Sequence, residues 1–119
     1  MLLNDLYTIT DFTYDDAIKA TITINTAHRI FEGHFPGMPI LPGACMTAII
    51  QELLEKNENK KIPIRRLDQV KFLQMVNPFE NNILHITIKN QKEQEHFKFN
   101  AVIHQKEQVV LKLSGVAIV

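Results

Sequence analysis

The sequence predicts an α+β fold in which a curved antiparallel sheet wraps around one long central helix. Three observations support this: a hairpin-like pair of segments near the N-terminus, one apolar segment without Gly or Pro, and consecutive strand-like segments after it. A sheet with one covered face needs a helix against that face, and this order of elements supplies it. At 119 residues the chain fits one domain, residues 1–119, large enough to bury a core.

The N-terminal segments are predicted to pair as a hairpin. Residues from about 6 to 14 mix β-branched and aromatic side chains, and Asp15-Asp16 marks a turn. Between residues 18 and 25, Ile22 and Ile24 alternate with threonines, which is typical of a strand with one buried face.

The central helix is predicted from Ala44 to about Lys56. Its apolar residues at positions 45, 46, 49, 50, 53 and 54 follow the repeat of a helix with a wide buried stripe. Residues 57–61 are charged and are predicted to form a solvated exit from the helix.

The segments after the helix are predicted to be antiparallel strands joined by short polar turns at residues 90–95 and 105–107. The predicted strands are Ile64 to Val76, Ile83 to Lys89, Phe97 to His104 and Val109 to Val119.

Charge and composition argue against several classes of function. Thirteen Lys plus Arg balance thirteen Asp plus Glu, so no net charge favours nucleic acid or an anionic membrane. One cysteine excludes an intramolecular disulfide, and the first residues lack the basic start and apolar core of a signal peptide. No apolar run approaches the roughly twenty residues that cross a bilayer. We therefore expect a soluble protein of the cytosol.

The most informative segment is residues 34–43, His-Phe-Pro-Gly-Met-Pro-Ile-Leu-Pro-Gly, which leads directly into the helix. Proline restricts φ and glycine permits close backbone approach, so this segment is predicted to be a rigid loop that holds His34 in one orientation. The helix that follows Gly43 begins with N–H groups that have no partner within the helix, and these suit a developing oxyanion. A base and an oxyanion site are therefore predicted side by side.

The chain resembles the 3-hydroxyacyl-acyl carrier protein dehydratases of fatty acid synthesis, which have the hot-dog fold. The resemblance rests on residues 33–43, with a looser match at Leu-Asp-Gln-Val-Lys-Phe, residues 67–72, followed by Val-Asn-Pro, residues 76–78. It implies a single hot-dog domain.

The resemblance also implies roles for individual residues. His34 acts on the α-proton of the substrate, and the N–H of Gly43 binds the thioester carbonyl. Substrate contacts are implied for Phe35, Pro36, Pro42, Ala44 and Ala48. In the family a carboxylate stands on the helix five positions after the glycine, whereas this chain has Ala48 there.

Because hydroxide is a poor leaving group, another proton donor is needed. Glu52 lies one helical turn beyond Ala48 on the same face, about 5 to 6 Å away, and is the candidate acid. A solvated glutamate would look the same in sequence. Thr47 and Gln51 are weaker candidates that could hold a water molecule. In a third route, His34 returns the abstracted proton to the leaving hydroxyl.

The other candidate residues are expected to be structural. Cys45 lies within the apolar stripe and is predicted to be a core residue. His28, His85, His96 and His104 lack partners at metal-ligand spacing, so no metal site is expected.

We therefore expect an enzyme that dehydrates 3-hydroxyacyl thioesters on acyl carrier protein to trans-2-enoyl thioesters. The reaction would belong to fatty acid synthesis or to related polyketide or polyene synthesis. The phosphopantetheine arm belongs to the substrate, so the protein needs no cofactor of its own. Arg65, Arg66 and Lys71 are candidates to contact the acidic carrier or the phosphate of the arm. The resemblance implies a homodimer, or a trimer of dimers, with each site shared between the histidine loop of one subunit and the helix of the other.

Two alternatives remain open. The absence of a carboxylate at Ala48 favours a non-catalytic or half-catalytic subunit of a hetero-oligomeric dehydratase, paired with a carboxylate-bearing homologue. An acyl thioesterase of the same fold is the other alternative, and it is also weakened by Ala48.

Overall fold

The fold is taken from a computed structural model, which describes residues 5–32 and 39–118. In these residues, six strands and one long helix make up the main elements. They are β1 (Tyr7–Tyr14), β2 (Ile18–Ile24), α1 (Gly43–Glu58), β3 (Ile64–Phe72), β4 (Ile83–Lys92), β5 (His96–Gln105) and β6 (Gln108–Ile118). A short 3-10 helix, Arg29–Phe31, follows β2.

The six strands form one sheet in the order β1-β2-β4-β5-β6-β3, and every neighbouring pair is antiparallel. The strand that follows the helix, β3, therefore crosses to the far edge and pairs with the last strand. The predicted α+β architecture, a curved antiparallel sheet around a central helix, is confirmed.

Strict alternation of side chains places the inner face of the sheet against α1. Alternate residues of β2, β4 and β5 are buried, among them Ile22, Ile86 and Phe99. The helix contributes its predicted stripe of Cys45, Met46, Ile49, Ile50, Leu53 and Leu54, all buried. Cys45 is thus a core residue as predicted, and burial raises the pKa of its thiol.

The ends of α1, β3 and β4 differ from the predicted ends, because hydrogen bonds and not the hydrophobic pattern determine where these elements stop. The helix extends to Glu58, and Asn59 ends it in the left-handed conformation with φ 57°. Strand β3 stops at Phe72 instead of residue 76, because the N–H groups of Leu73 and Gln74 both donate to the carbonyl of Val110 and the chain leaves the ladder. Strand β4 continues to Lys92, since its polar residues still pair with β5.

Strand β3 is unusually exposed for a strand with so many apolar residues. From its second residue onward every position is exposed, including Leu67, Val70 and Phe72. The strand lies at the edge of the sheet, so its outer backbone groups have no strand beside them among the described residues.

Candidate active site

The helix begins at Gly43, with Pro42 in extended conformation before it (φ −63°, ψ 146°). The carbonyl of Pro42 accepts from the N–H groups of Cys45 and Met46, at 3.0 and 3.3 Å. The first helical N–H groups, at Gly43 and Ala44, have no acceptor within the helix. They carry the positive end of the helix dipole and are suited to bind a carbonyl oxygen that gains negative charge.

The position of this helix start is set by the segment after β3. The N–H of Leu41 donates to the carbonyl of Val76 at 2.9 Å, which ties the approach to the helix to the exit from β3. The ring of Phe72 lies directly over Gly43, and a β-carbon at Gly43 would lie 2.5 Å from Cε1 of that ring. Glycine therefore allows the aromatic ring to approach the backbone of the helix start.

Three of the predicted site residues, His34, Phe35 and Pro36, lie outside the described residues. Their roles stay predictions. Among the predicted substrate-contact residues that are described, Pro42 and Ala48 are half-buried and Ala44 is exposed.

Two side chains on the helix face that carries Ala48, those of Glu52 and Lys56, contact β1. Ala48 packs against the core, and Glu52 is half-buried one turn further on. One turn beyond Glu52, the Lys56 ammonium lies 5.4 Å from the centre of the Phe12 ring on β1. The candidate acid therefore faces the first strand of its own chain.

Glu52 has a defined partner on that strand. The Tyr7 hydroxyl donates to Oε1 of Glu52 at 2.6 Å. Burial, and to a lesser extent the hydrogen bond to Glu52 and its negative charge, raise the pKa of Tyr7 well above its usual range. Tyr7 is therefore a stable hydrogen-bond donor at neutral pH.

The two weaker acid candidates are engaged elsewhere. The Thr47 hydroxyl donates to the carbonyl of Gly43 at 3.2 Å, within the helix. The Gln51 amide donates to the carbonyl of Ile62 at 3.1 Å and anchors the segment that leads into β3. Both side chains thus have structural partners.

The four histidines other than His34 also have structural surroundings. His28 Nδ1 accepts from the N–H of Ile30 at 3.0 Å and caps the short 3-10 helix. His85 contacts the Thr21 hydroxyl at 3.2 Å and stacks on His104, and His96 lies 3.1 Å from a Glu93 carboxylate oxygen. Across residues 5–32 and 39–118, no group of three or more potential metal ligands occurs.

A basic groove of about 640 Å³ lies at the N-terminal end of β3. Arg65, Arg66 and Lys98 contribute its positive groups, His96 adds an imidazole, and the carboxylate of Glu95 also lines it. The Nε–H of Arg66 donates to Oδ1 of Asp68 at 2.6 Å. This hydrogen bond holds the pKa of the Asp68 carboxyl below its usual range. Lys71, the third predicted contact for a carrier, is near the other end of β3.

Sequence reasoning missed two residues that the structure brings to this region. Tyr7 reaches Glu52 across 45 positions of sequence, so no local pattern could have revealed the contact. Phe72 was part of the motif that carried the resemblance, but its position over Gly43 depends on how β3 crosses to the edge of the sheet.

The solved structures that resemble this chain have the hot-dog fold. The dehydratase heterocomplex ApeI:P from Xenorhabdus doucetiae superposes with a TM-score of 0.76 at 16% identity, covering 94% of this chain and 97% of that chain. A thioesterase of Staphylococcus aureus, solved as a mutant, superposes with a TM-score of 0.70 at 12% identity, covering 98% of this chain and 96% of that chain. These likenesses define the class of protein: a hot-dog domain.

Sequence comparison then identifies the family. Residues 11–114 match the ApeI-like family, described as ApeI dehydratase, and the chain belongs to it. The 3-hydroxyacyl-(acyl-carrier-protein) dehydratase FabZ of Petrotoga mobilis is 29% identical over 101 residues, which are 80% of this chain and 72% of that protein. The FabZ of Lactobacillus helveticus is 28% identical over 85 residues, which are 66% of this chain. The chain spans only 57% of the length of that relative.

The predicted membership of a hot-dog dehydratase family is thereby confirmed. Among the described residues, no helix combines the length and apolar character needed to span a membrane.

Proposed function

We propose that the protein dehydrates 3-hydroxyacyl thioesters on acyl carrier protein to trans-2-enoyl thioesters, in fatty acid or related polyketide or polyene synthesis. The observation that carries the proposal is the helix start at Gly43, which follows His34 closely in the sequence and offers backbone N–H groups to a thioester carbonyl. Membership of the ApeI-like family and the similarity to FabZ enzymes support it.

In the proposed reaction, the imidazole of His34 takes the proton from the α-carbon. Negative charge then moves to the thioester oxygen, where the N–H of Gly43 contributes about 3 kcal/mol to the transition state. The electron pair forms the double bond as the β-hydroxyl leaves, and that oxygen departs as water after it has gained a proton. Glu52 is the proposed donor of this proton, and its place one turn beyond Ala48 supports the assignment.

The exposed edge of the sheet supports assembly into a homodimer, in which two copies of β3 lie side by side. An edge strand with exposed Leu67, Val70 and Phe72 is a surface that a soluble protein normally covers. A second β3 would satisfy its outer backbone groups and bury these side chains. In such a dimer the histidine loop of one copy would complete the site with the helix of the other.

The basic groove of Arg65, Arg66 and Lys98 supports an acidic partner. Acyl carrier protein and the phosphate of its arm are the proposed ligands, because guanidinium groups bind phosphate and carboxylate with paired hydrogen bonds. The arm belongs to the substrate, and the protein needs no other cofactor for this reaction.

A second candidate function is a half-catalytic subunit that combines with a carboxylate-bearing homologue. Ala48 is the observation that favours it, because this position cannot supply the proton. The similar Xenorhabdus doucetiae structure is described as a dehydratase heterocomplex.

The test is turnover of 3-hydroxyacyl and trans-2-enoyl thioesters on acyl carrier protein, with short and long chains. We expect His34→Ala to abolish it and Glu52→Gln to lower it about a hundredfold. Loss in His34→Ala alone would assign proton return to His34 instead of Glu52. Activity only after mixing with a carboxylate-bearing homologue would establish the half-catalytic subunit, and release of free thiol would favour a thioesterase.

A further inference from the structure

The contact between Tyr7 and Glu52 joins the first strand to the helix at the candidate acid. Tyr7 opens β1, packs against the core and is half-buried. Its hydroxyl donates to Oε1 of Glu52 at 2.6 Å, which is at the short end of the range for O–H···O hydrogen bonds. Since Glu52 is also half-buried, its side chain has fewer water molecules to bond than a surface glutamate has.

We propose that Tyr7 is a positioning residue for the acid step: it holds one oxygen of Glu52 so that the other oxygen carries the proton to the leaving hydroxyl. This inference rests on the proposed dehydration and on Glu52 as its acid. A carboxyl group has two oxygens, and a donor fixed on Oε1 leaves Oε2 to bear the proton and restricts the rotation of the side chain.

The α C–H bond breaks and its proton passes to His34, while the electron pair becomes the new carbon–carbon double bond. The β C–O bond breaks with its electrons on oxygen, and the proton of Glu52 Oε2 joins that oxygen to release water. His34 ends protonated and Glu52 ends as a carboxylate, and return of one proton from His34 to Glu52 resets the site.

Tyr7 is expected to contribute more in the transition state than before reaction. In the proposed step Glu52 begins with a proton and is then a neutral acceptor, whereas the carboxylate that forms as the proton leaves is a charged and stronger acceptor. A hydrogen bond that strengthens as charge develops lowers the barrier, and its removal lowers kcat with little change in KM.

The experiment compares wild type with Tyr7→Phe, which removes only the hydroxyl. Tyr14→Phe is the matched control, because Tyr14 ends the same strand and is 55% exposed. We expect Tyr7→Phe to lower kcat about tenfold at unchanged KM, as for loss of one hydrogen bond to a charged group. In Glu52→Gln, the residual kcat should not fall further when Tyr7→Phe is added, whereas a purely structural effect would persist in both backgrounds.

The outcomes separate this inference from the proposed function. If wild type converts the thioesters and Tyr7→Phe matches Tyr14→Phe, the positioning role is overturned and the dehydratase stands. An equal loss in both Glu52 backgrounds would also overturn it. If wild type is inactive both alone and mixed with a carboxylate-bearing homologue, the proposed function is refuted, and the positioning role of Tyr7 is refuted as well. Circular dichroism of each variant, with rates expressed per folded protein, removes unfolding as an explanation.

Discussion

A methyl group added at Gly115 would meet backbone atoms, whereas one added at Gly43 would meet a side chain. Substitution of each glycine by alanine therefore tests the packing around it. At Gly115, on β6, the new β-carbon would overlap the backbone carbonyl oxygen of Arg66 on the neighbouring strand β3 and lie 3.2 Å from the Phe99 ring. At Gly43, the nearest atoms belong to the ring of Phe72, whose side chain is largely exposed.

The cost depends on whether the neighbour can move. The carbonyl of Arg66 is part of the β3–β6 ladder, so Gly115→Ala must push two paired strands apart. Overpacking of this kind costs about 1 to 3 kcal/mol, and the lower entropy of the unfolded alanine chain offsets about 0.4 to 1 kcal/mol. We expect a net loss of about 1.3 kcal/mol in the free energy of unfolding, or roughly 5 °C in Tm.

Gly43→Ala is expected to behave differently, because its neighbour Phe72 is a side chain that can change rotamer and alanine is the better helix former. The free energy of unfolding should change by less than about 0.5 kcal/mol. Turnover should fall nonetheless, since the added methyl group lies beside the N–H groups proposed to bind the thioester carbonyl.

The assay is urea unfolding followed by circular dichroism, at one protein concentration because association contributes to apparent stability. If the free energy of unfolding of Gly115→Ala lies within about 0.5 kcal/mol of the wild-type value, β3 does not approach β6 as closely at Gly115 as the structure shows. If Gly43→Ala loses as much stability as Gly115→Ala, the Phe72 side chain is held firmly and does not move aside for the methyl group.

Three further predictions concern Tyr7, the β3 edge and the end of the helix. Because the pKa of Tyr7 is raised, the folded protein keeps a proton that the unfolded chain releases above about pH 10. The free energy of unfolding should then fall with rising pH, by at most about 1.4 kcal/mol per pH unit, and urea unfolding of Tyr7→Phe should show a shallower decline; an identical decline would refute this assignment. Val70→Lys places a charge on the exposed edge and should shift the protein toward monomer in size-exclusion chromatography with light scattering, with its circular dichroism unchanged, whereas Thr13→Lys on the opposite edge strand should not. Asn59→Gly, at the left-handed end of α1, should raise the free energy of unfolding by up to about 1 kcal/mol, and a loss would show that the Asn59 side chain matters more than its backbone conformation.

The sequence by itself determined the kinds of element and the buried face of most of them. The alternation in β2, β4 and β5, and the helical repeat from Cys45 to Leu54, follow from burial of one face, which leaves a periodic pattern in the chain. The helix start at Gly43 was placed within one residue, because the proline-rich segment before it restricts the backbone.

Only the tertiary structure decided which elements meet. Periodicity shows that a face is covered but not which partner covers it, so neither the crossing of β3 to the edge beside β6 nor the placing of Phe72 over Gly43 could be read from it. The strand ends depended on hydrogen bonds such as those from Leu73 and Gln74 to Val110, which leave no mark on hydrophobic pattern. The partner of Glu52 is the clearest case: Tyr7 stands 45 residues away, and the sheet and helix must both be folded before the two side chains come within hydrogen-bonding distance.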